Sequence, residues 1–480
     1  MFTIEEKTIP ELQEAMRKNE ITSRALTLYY LSRIASTDKC ENGLNSVLEL
    51  NPDALFIADM LDEMRANGES LGPLHGIPVM LKDNISTCDK MHTSAGSVAL
   101  GDNYMPYDAR IVTLLRESGA LILGKTNMTE FANYMTDNMP CGYSSRGGQV
   151  LNPYDKKADP SGSSSGSGVA VSANLCSVAV GTETCGSIIS PSWANGIVGI
   201  KPTLGLLSRS GLIPISFTFD TPGPMTRTVT DAAILLGAMA GKDEKDPATF
   251  KSGQTDYTKY LDKNGLDGAR IGISRMFTED TGKEYLGQME KIIEIMRENG
   301  ADCVELPAHE LKSGDKFGVI MNNEFKCGIN NYLASSKNAN SNVPKNLQEI
   351  ILYNQNHPKE ALKYGQSTLI GAQNNSSGNL TEPEYINAML EREKIILSFD
   401  DIFTENKVDV IFCLAGTGLP AFTGFPSMTI PAFIGETNLP EGTFWTARRF
   451  HEASLIRVTY ALEQILNARK NPIADQTNLF

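Results

Sequence analysis

The segment Ser161-Gly162-Ser163-Ser164-Ser165-Gly166-Ser167-Gly168 is built from two residue types alone. That composition usually marks a flexible linker. Here Val169-Ala170-Val171-Ser172-Ala173 follows directly, a run of small apolar residues suited to a buried helix. A linker does not lead straight into a core element, so the segment is expected to pack against one. It also satisfies G-x-S-x-G at Gly162, Ser164 and Gly166. That pattern marks a nucleophile elbow only when a strand precedes it and a histidine follows in chain order. The preceding Asn152 to Pro160 reads as a loop, and His309, His357 and His451 sit in uninformative contexts.

The rest of the chain alternates short apolar runs with helical stretches. Gly76 to Leu81, Leu121 to Gly124, Ser177 to Gly181, Ile197 to Ile200, Arg270 to Ile273, Val408 to Cys413 and Met428 to Ile430 read as buried strands. Helices are expected over about 109–118, 282–299 and 450–468. The first 70 residues read as helical, with Thr8 capping a helix that holds Pro10 and Glu11 in its first turn. The stretch 307–397 shows no clear strand and reads as a helical cap or insertion, with Gln373 to Asn379 as a turn-rich loop. The expected class is α/β: one domain over 1–480, with a mixed, largely buried sheet covered by helices on both faces.

Charge and residue counts exclude several functions. The 480 residues carry 43 basic and 57 acidic side chains, a net charge of −14. That argues against binding a nucleic-acid backbone, which requires clustered Lys and Arg. No run of uncharged apolar residues is long enough for a membrane span. The opening residues lack a basic, apolar leader, so a cytoplasmic home is the expectation. Eight scattered cysteines without CxxC pairs read as small hydrophobes in a reducing compartment. Five histidines without ligand spacing argue against a metal site.

A second unusual segment is Gly181 to Pro191, which includes Glu183-Thr184-Cys185-Gly186-Ser187-Ile188-Ile189. A glycine just before a serine lets successive backbone N–H groups turn inward and form an oxyanion hole. Ser187 is then a candidate nucleophile. A serine hydroxyl needs a base at neutral pH, and no histidine is placed to serve. Lys82 ends an apolar strand-like run, where burial would let it act neutral.

These pieces, in this order, resemble the amidase signature family of Ser-Ser-Lys hydrolases. Gly76-Ile77-Pro78 through Lys82-Asp83-Asn84, Lys125 to Ala132, Ser161 to Ser167, Gly181 to Pro191 and Gly199 to Thr203 match successive family blocks. Asp220 to Met225 and Gly424 to Pro431 match later ones. The resemblance implies Ser187 as the acylated nucleophile, Ser163 as a bridging serine on a cis peptide bond, and Lys82 as the base. It implies backbone N–H groups of Thr184, Cys185, Gly186 and Ser187 as the oxyanion hole, with no cofactor and no metal. The implied activity is hydrolysis of a linear carboxamide through an acyl-enzyme.

The sequence departs from the family's commonest form. Ser161 and Ser165 replace glycines of the signature, and Ile189 stands where arginine is usual. The form Glu183-Thr184-x-Gly186-Ser187-Ile188 resembles the peptide amidase branch, as does Ser144 to Pro153. Peptide C-terminal amides are the substrate class this suggests, among other small-molecule amides. The competing readings are the GatA-type component of a tRNA-dependent glutamine amidotransferase and a non-catalytic amide-binding relative. The expected state is a monomer or homodimer.

Overall fold

The apolar runs of the sequence form a sheet. The computed structural model describes residues 2–275, 282–307, 315–336, 343–414 and 418–472. Its strands are β1 (Val47–Leu50), β2 (Pro78–Lys82), β3 (Leu121–Thr126), β4 (Val178–Glu183), β5 (Val198–Lys201) and β6 (Thr221–Thr226). They continue with β7 (Arg270–Ser274), β8 (Asp302–Glu305), β9 (Val410–Cys413), β10 (Ser427–Thr429) and β11 (Phe444–Ala447). The 11 strands lie side by side in the order β1-β3-β2-β4-β6-β5-β10-β11-β9-β7-β8. The sheet is mixed. β3, β2 and β4 run parallel, as do β9, β7 and β8, and the strands between them alternate. Helices flank it.

Every residue of β2, β3, β4, β5, β6 and β9 is buried. A strand covered on both faces needs apolar residues at every position, which is why most of these strands read as unbroken runs. Four strands escape that signal. β1 lies inside the segment read as all-helical, and β8 is a partly exposed edge strand of Asp, Cys, Val and Glu. β11, with the sequence Phe-Trp-Thr-Ala, is too short to stand out. β6 has the sequence Thr-Pro-Gly-Pro-Met-Thr, whose prolines and glycine signal a turn. It still pairs along its length with β4, and through Met225 and Thr226 with β5.

The N-terminal helices follow their caps. Thr8 and Glu11 form a reciprocal capping box on the helix Ile9–Arg17. Thr22 caps Ser23–Arg33, which ends in a π-turn over Ile34–Asp38. Between 307 and 397 the described residues contain the helices Lys316–Ser335, Leu347–Asn356, Pro358–Ala361 and Ser367–Asn375, the start of Pro383–Asn406, and no strand. The expected turn-rich loop begins later than its composition suggests, since Gln373 to Asn375 end a helix. His309 lies outside the described residues.

The Gly/Ser segment opens the helix Ser165–Ser172, whose residues are all buried. Its composition is a packing requirement. A Cβ placed on Gly166 would lie 2.2 Å from the Asn127 carbonyl oxygen and 2.4 Å from that of Ser46. Both are backbone atoms and cannot rotate away. Gly166→Ala is therefore expected to destabilise the protein by about 3 kcal/mol, read as a lowered urea-unfolding midpoint. An unchanged midpoint would refute this account of the segment.

Candidate active site

Three chain segments converge at the ends of β2 and β4. β2 delivers Lys82 at its last position, fully buried. The loop before Ser165–Ser172 delivers Ser163 and Ser164, also fully buried. The turn after β4 delivers Thr184, Cys185, Gly186 and Ser187. No strand precedes Ser164, so the G-x-S-x-G match is not a nucleophile elbow. The peptide bond between Gly162 and Ser163 is cis, as the resemblance implied.

The lysine amine is held by three oxygens. Lys82 Nζ lies 2.8 Å from Ser163 Oγ, 2.9 Å from Ser164 Oγ and 3.0 Å from the Thr182 carbonyl. The Ser164 hydroxyl donates to that same carbonyl at 3.0 Å and accepts from the Thr182 N–H at 3.3 Å. Asn84 Nδ2 donates to Thr182 Oγ1 at 2.9 Å and fixes this end of β4. Among the described residues, no carboxylate forms an ion pair with Lys82. Burial drives its amine down to about 7, against the weaker opposing pull of Asp220 and Glu183.

Ser187 is about 7% exposed, and its carbonyl accepts from the Ser164 N–H at 3.2 Å. That contact sets the nucleophile turn against the Gly/Ser loop. The Ser163 and Ser187 hydroxyls do not hydrogen-bond to each other in this structure. Catalytic contacts of this kind tighten when substrate fills the site.

The turn itself is braced at both ends. Gly186 has φ +80°, a conformation only glycine adopts freely, and this curls the chain so that successive N–H groups converge. Among the described residues, the N–H groups of Thr184, Cys185, Gly186 and Ser187 donate to no backbone carbonyl outside the regular elements. Glu183 accepts the N–H groups of Ile188 at 2.7 Å and Ile189 at 3.0 Å. Thr184 Oγ1 donates to Asp220 at 2.6 Å. Cys185 reaches solvent, yet desolvation, with Glu183 beside it, pushes its thiol up to about 12. It remains a protonated, weakly nucleophilic thiol at neutral pH.

The motifs therefore bring Lys82, Ser163 and Ser187 into one place. They do not reveal Ser164, the Thr182 carbonyl, Glu183 or Asp220 as partners. The signal for Asp220 is present in part. It opens a motif block, but its pairing with Thr184 depends on the register that sets Glu183 opposite Thr221. No histidine joins the site among the described residues. His75 is buried elsewhere against the Leu61 carbonyl, and His92 pairs with Glu49. Among the described residues there is also no cluster of His, Cys, Asp or Glu able to hold a metal, and no helix long and apolar enough to cross a membrane.

Comparison with known proteins agrees with this geometry. The amidase family model matches residues 25–424. A probable amidase of Arabidopsis thaliana is 37% identical, covering 98% of this chain and 92% of its own. The GatA-type component of the glutamyl-tRNA(Gln) amidotransferase of Alkaliphilus metalliredigens is 32% identical, covering 97% of this chain and 98% of its own. The crystal structure of the native peptide amidase of Stenotrophomonas maltophilia superposes with a TM-score of 0.93 at 39% identity, covering 99% of this chain and 100% of that one. A buried lysine and serines meeting at the end of a mixed sheet, and these likenesses over nearly the whole chain, lead to one assignment: this chain belongs to the amidase family and is a serine amidase.

Proposed function

We propose that Ser187 is the acylated nucleophile, Ser163 the proton bridge and Lys82 the base, and that the substrate is the C-terminal carboxamide of a peptide. The observation that carries this reading is the fully buried Lys82 amine, 2.8 Å from Ser163 Oγ and free of any carboxylate ion pair among the described residues. The hydrogen bonds around it give the proton path a direction. The Thr182 carbonyl can only accept. Ser164 spends its single proton on that carbonyl. A neutral amine has two protons and one lone pair, so two protons satisfy Thr182 and Ser164, and the lone pair faces Ser163.

The steps then balance. Lys82 takes the Ser163 proton as Ser163 takes the Ser187 proton. Ser187 Oγ bonds to the amide carbon, and the oxygen's negative charge is met by the N–H groups of the Thr184–Ser187 turn. The C–N bond breaks as the proton returns through Ser163 to the nitrogen, which leaves as ammonia. Water, deprotonated along the same path, attacks the ester and releases the acid and free Ser187. The chemistry is complete within the chain's own groups. We read residues 1–480 as one amidase domain, with the helices between 307 and 397 as the cap over its cleft.

The peptide amide is favoured because the Stenotrophomonas maltophilia relative is a peptide amidase, and another structure of such an enzyme, 39% identical, holds the competitive inhibitor chymostatin. The test is ammonia release by the purified chain alone from peptide C-terminal amides, fatty amides, aryl amides and glutamine. The expected result is release from peptide amides in the absence of any partner. Release from glutamine alone, and only with partner protein and charged tRNA present, would assign the amidotransferase role instead.

A further inference from the structure

The Thr184–Ser187 turn has to hold its N–H groups still while charge develops on the substrate, and a turn at a strand end does not do that unaided. We infer that Asp220 is the positioning residue for this turn, clamping Thr184 to the neighbouring loop and to the helical block beyond it. This deepens the Ser187–Ser163–Lys82 reading and rests on it.

The carboxylate divides its acceptor capacity between two segments. One oxygen accepts from Thr184 Oγ1 at 2.6 Å. The other accepts from the N–H groups of Ile215 at 2.8 Å and Ser216 at 3.0 Å. The Asp220 N–H closes the loop onto the Ser216 carbonyl at 2.8 Å. The Ser216 hydroxyl in turn donates to Glu324, a buried residue of the helix Lys316–Ser335. Glu324 also accepts from the Thr218 N–H at 3.0 Å and from the Tyr385 hydroxyl at 2.9 Å. A continuous set of hydrogen bonds thus runs from the helical block to the first residue of the turn. The sheet register enforces the arrangement, since Glu183 lies opposite Thr221 and the next residue outward on each strand is Thr184 and Asp220.

Asp220 has a second consequence. Asp220 and Glu183 are the two carboxylates whose charge acts on Lys82, and both favour its protonated form. Asp220 is itself faced by Arg209, whose main partner is Asp246. Burial holds the Asp220 carboxyl up to about 6, so it is charged at neutral pH. Replacing it with the isosteric asparagine keeps a hydrogen-bonding group at the same place and removes the charge.

The experiment is the pH–rate profile for ammonia release by wild type, Asp220→Asn, Thr184→Val and Lys82→Ala, with rates normalised to folded protein. Asp220→Asn is expected to lower kcat about tenfold or more, with KM within threefold. Its acid limb moves to lower pH by about half a unit or more, because Lys82 loses its proton more easily without the nearby negative charge. Thr184→Val lowers kcat by a similar factor and leaves the acid limb in place. An unmoved acid limb in Asp220→Asn, or a loss confined to the folded fraction, would overturn the inference. Should Asp220→Asn fail to fold, wild-type kcat in Thr184→Val would overturn it independently. Activity surviving in Lys82→Ala would instead sink the underlying proton path, and so tells the two failures apart.

Discussion

Ser187→Ala is expected to lower kcat for ammonia release by roughly 10⁴-fold or more, with little change in KM and no loss of stability. The size of the loss follows from the absence of a substitute. Ser164 is the other hydroxyl at the lysine, but it is fully buried and its proton is committed to the Thr182 carbonyl. Cys185 lies two residues away, and its thiol is held protonated at neutral pH. The unchanged stability follows from the hydroxyl's surroundings. Among the described residues the Ser187 hydroxyl makes no hydrogen bond that alanine would break. Circular dichroism and the urea-unfolding midpoint check the second half of the prediction. A residual rate within about tenfold of wild type would transfer the nucleophile role to another residue.

Lys82→Met is expected to lower kcat by about 10⁴-fold as well, and its pH behaviour identifies the cause. A base must be neutral to act. The Lys82 amine is held down to about 7 in the folded protein, so wild-type kcat/KM rises about tenfold per pH unit below 7 and levels off above it. The sign for stability is set by the same group. Its folded value lies below the ordinary 10.5 of the unfolded chain. Between those values the unfolded state binds the extra proton, so this lysine makes the protein more stable as pH rises from about 7 to 10.5. Lys82→Met removes both the acid limb and this contribution to the stability slope. It also leaves Ser163 and Ser164 each short of a partner, at about 1 kcal/mol apiece. An acid limb that stayed in a residual Lys82→Met activity would belong to another group.

Much of this site is legible in the sequence, for a local reason. Lys82 ends an apolar run, Ser163 sits in a segment of two residue types, and Ser187 follows a glycine after a strand. Each is a feature of consecutive residues. What stays hidden depends on strands meeting. Asp220 reaches Thr184 because β6 lies against β4, and β6 reads as a turn because of Pro222 and Pro224. The Thr182 carbonyl is a backbone atom, so no residue type could announce it as a partner of Lys82. Ser164 is conspicuous for the wrong reason. Its G-x-S-x-G setting points to a nucleophile, whereas its contacts make it an anchor for the lysine. The same division holds for the fold. The fully buried central strands stand out as apolar runs, while the edge strand β8 and the short β1 carry too little apolar sequence to show.

The most direct test of the Ser187–Ser163–Lys82 assignment is to trap the covalent intermediate. Wild type turning over a peptide C-terminal amide is quenched in acid, digested, and sequenced by fragmentation mass spectrometry. The prediction is an acyl adduct equal to the peptide substrate less ammonia, located on Ser187, and absent from Ser187→Ala treated the same way. An adduct on Cys185 or Ser164, or one that persists in Ser187→Ala, would contradict the assignment.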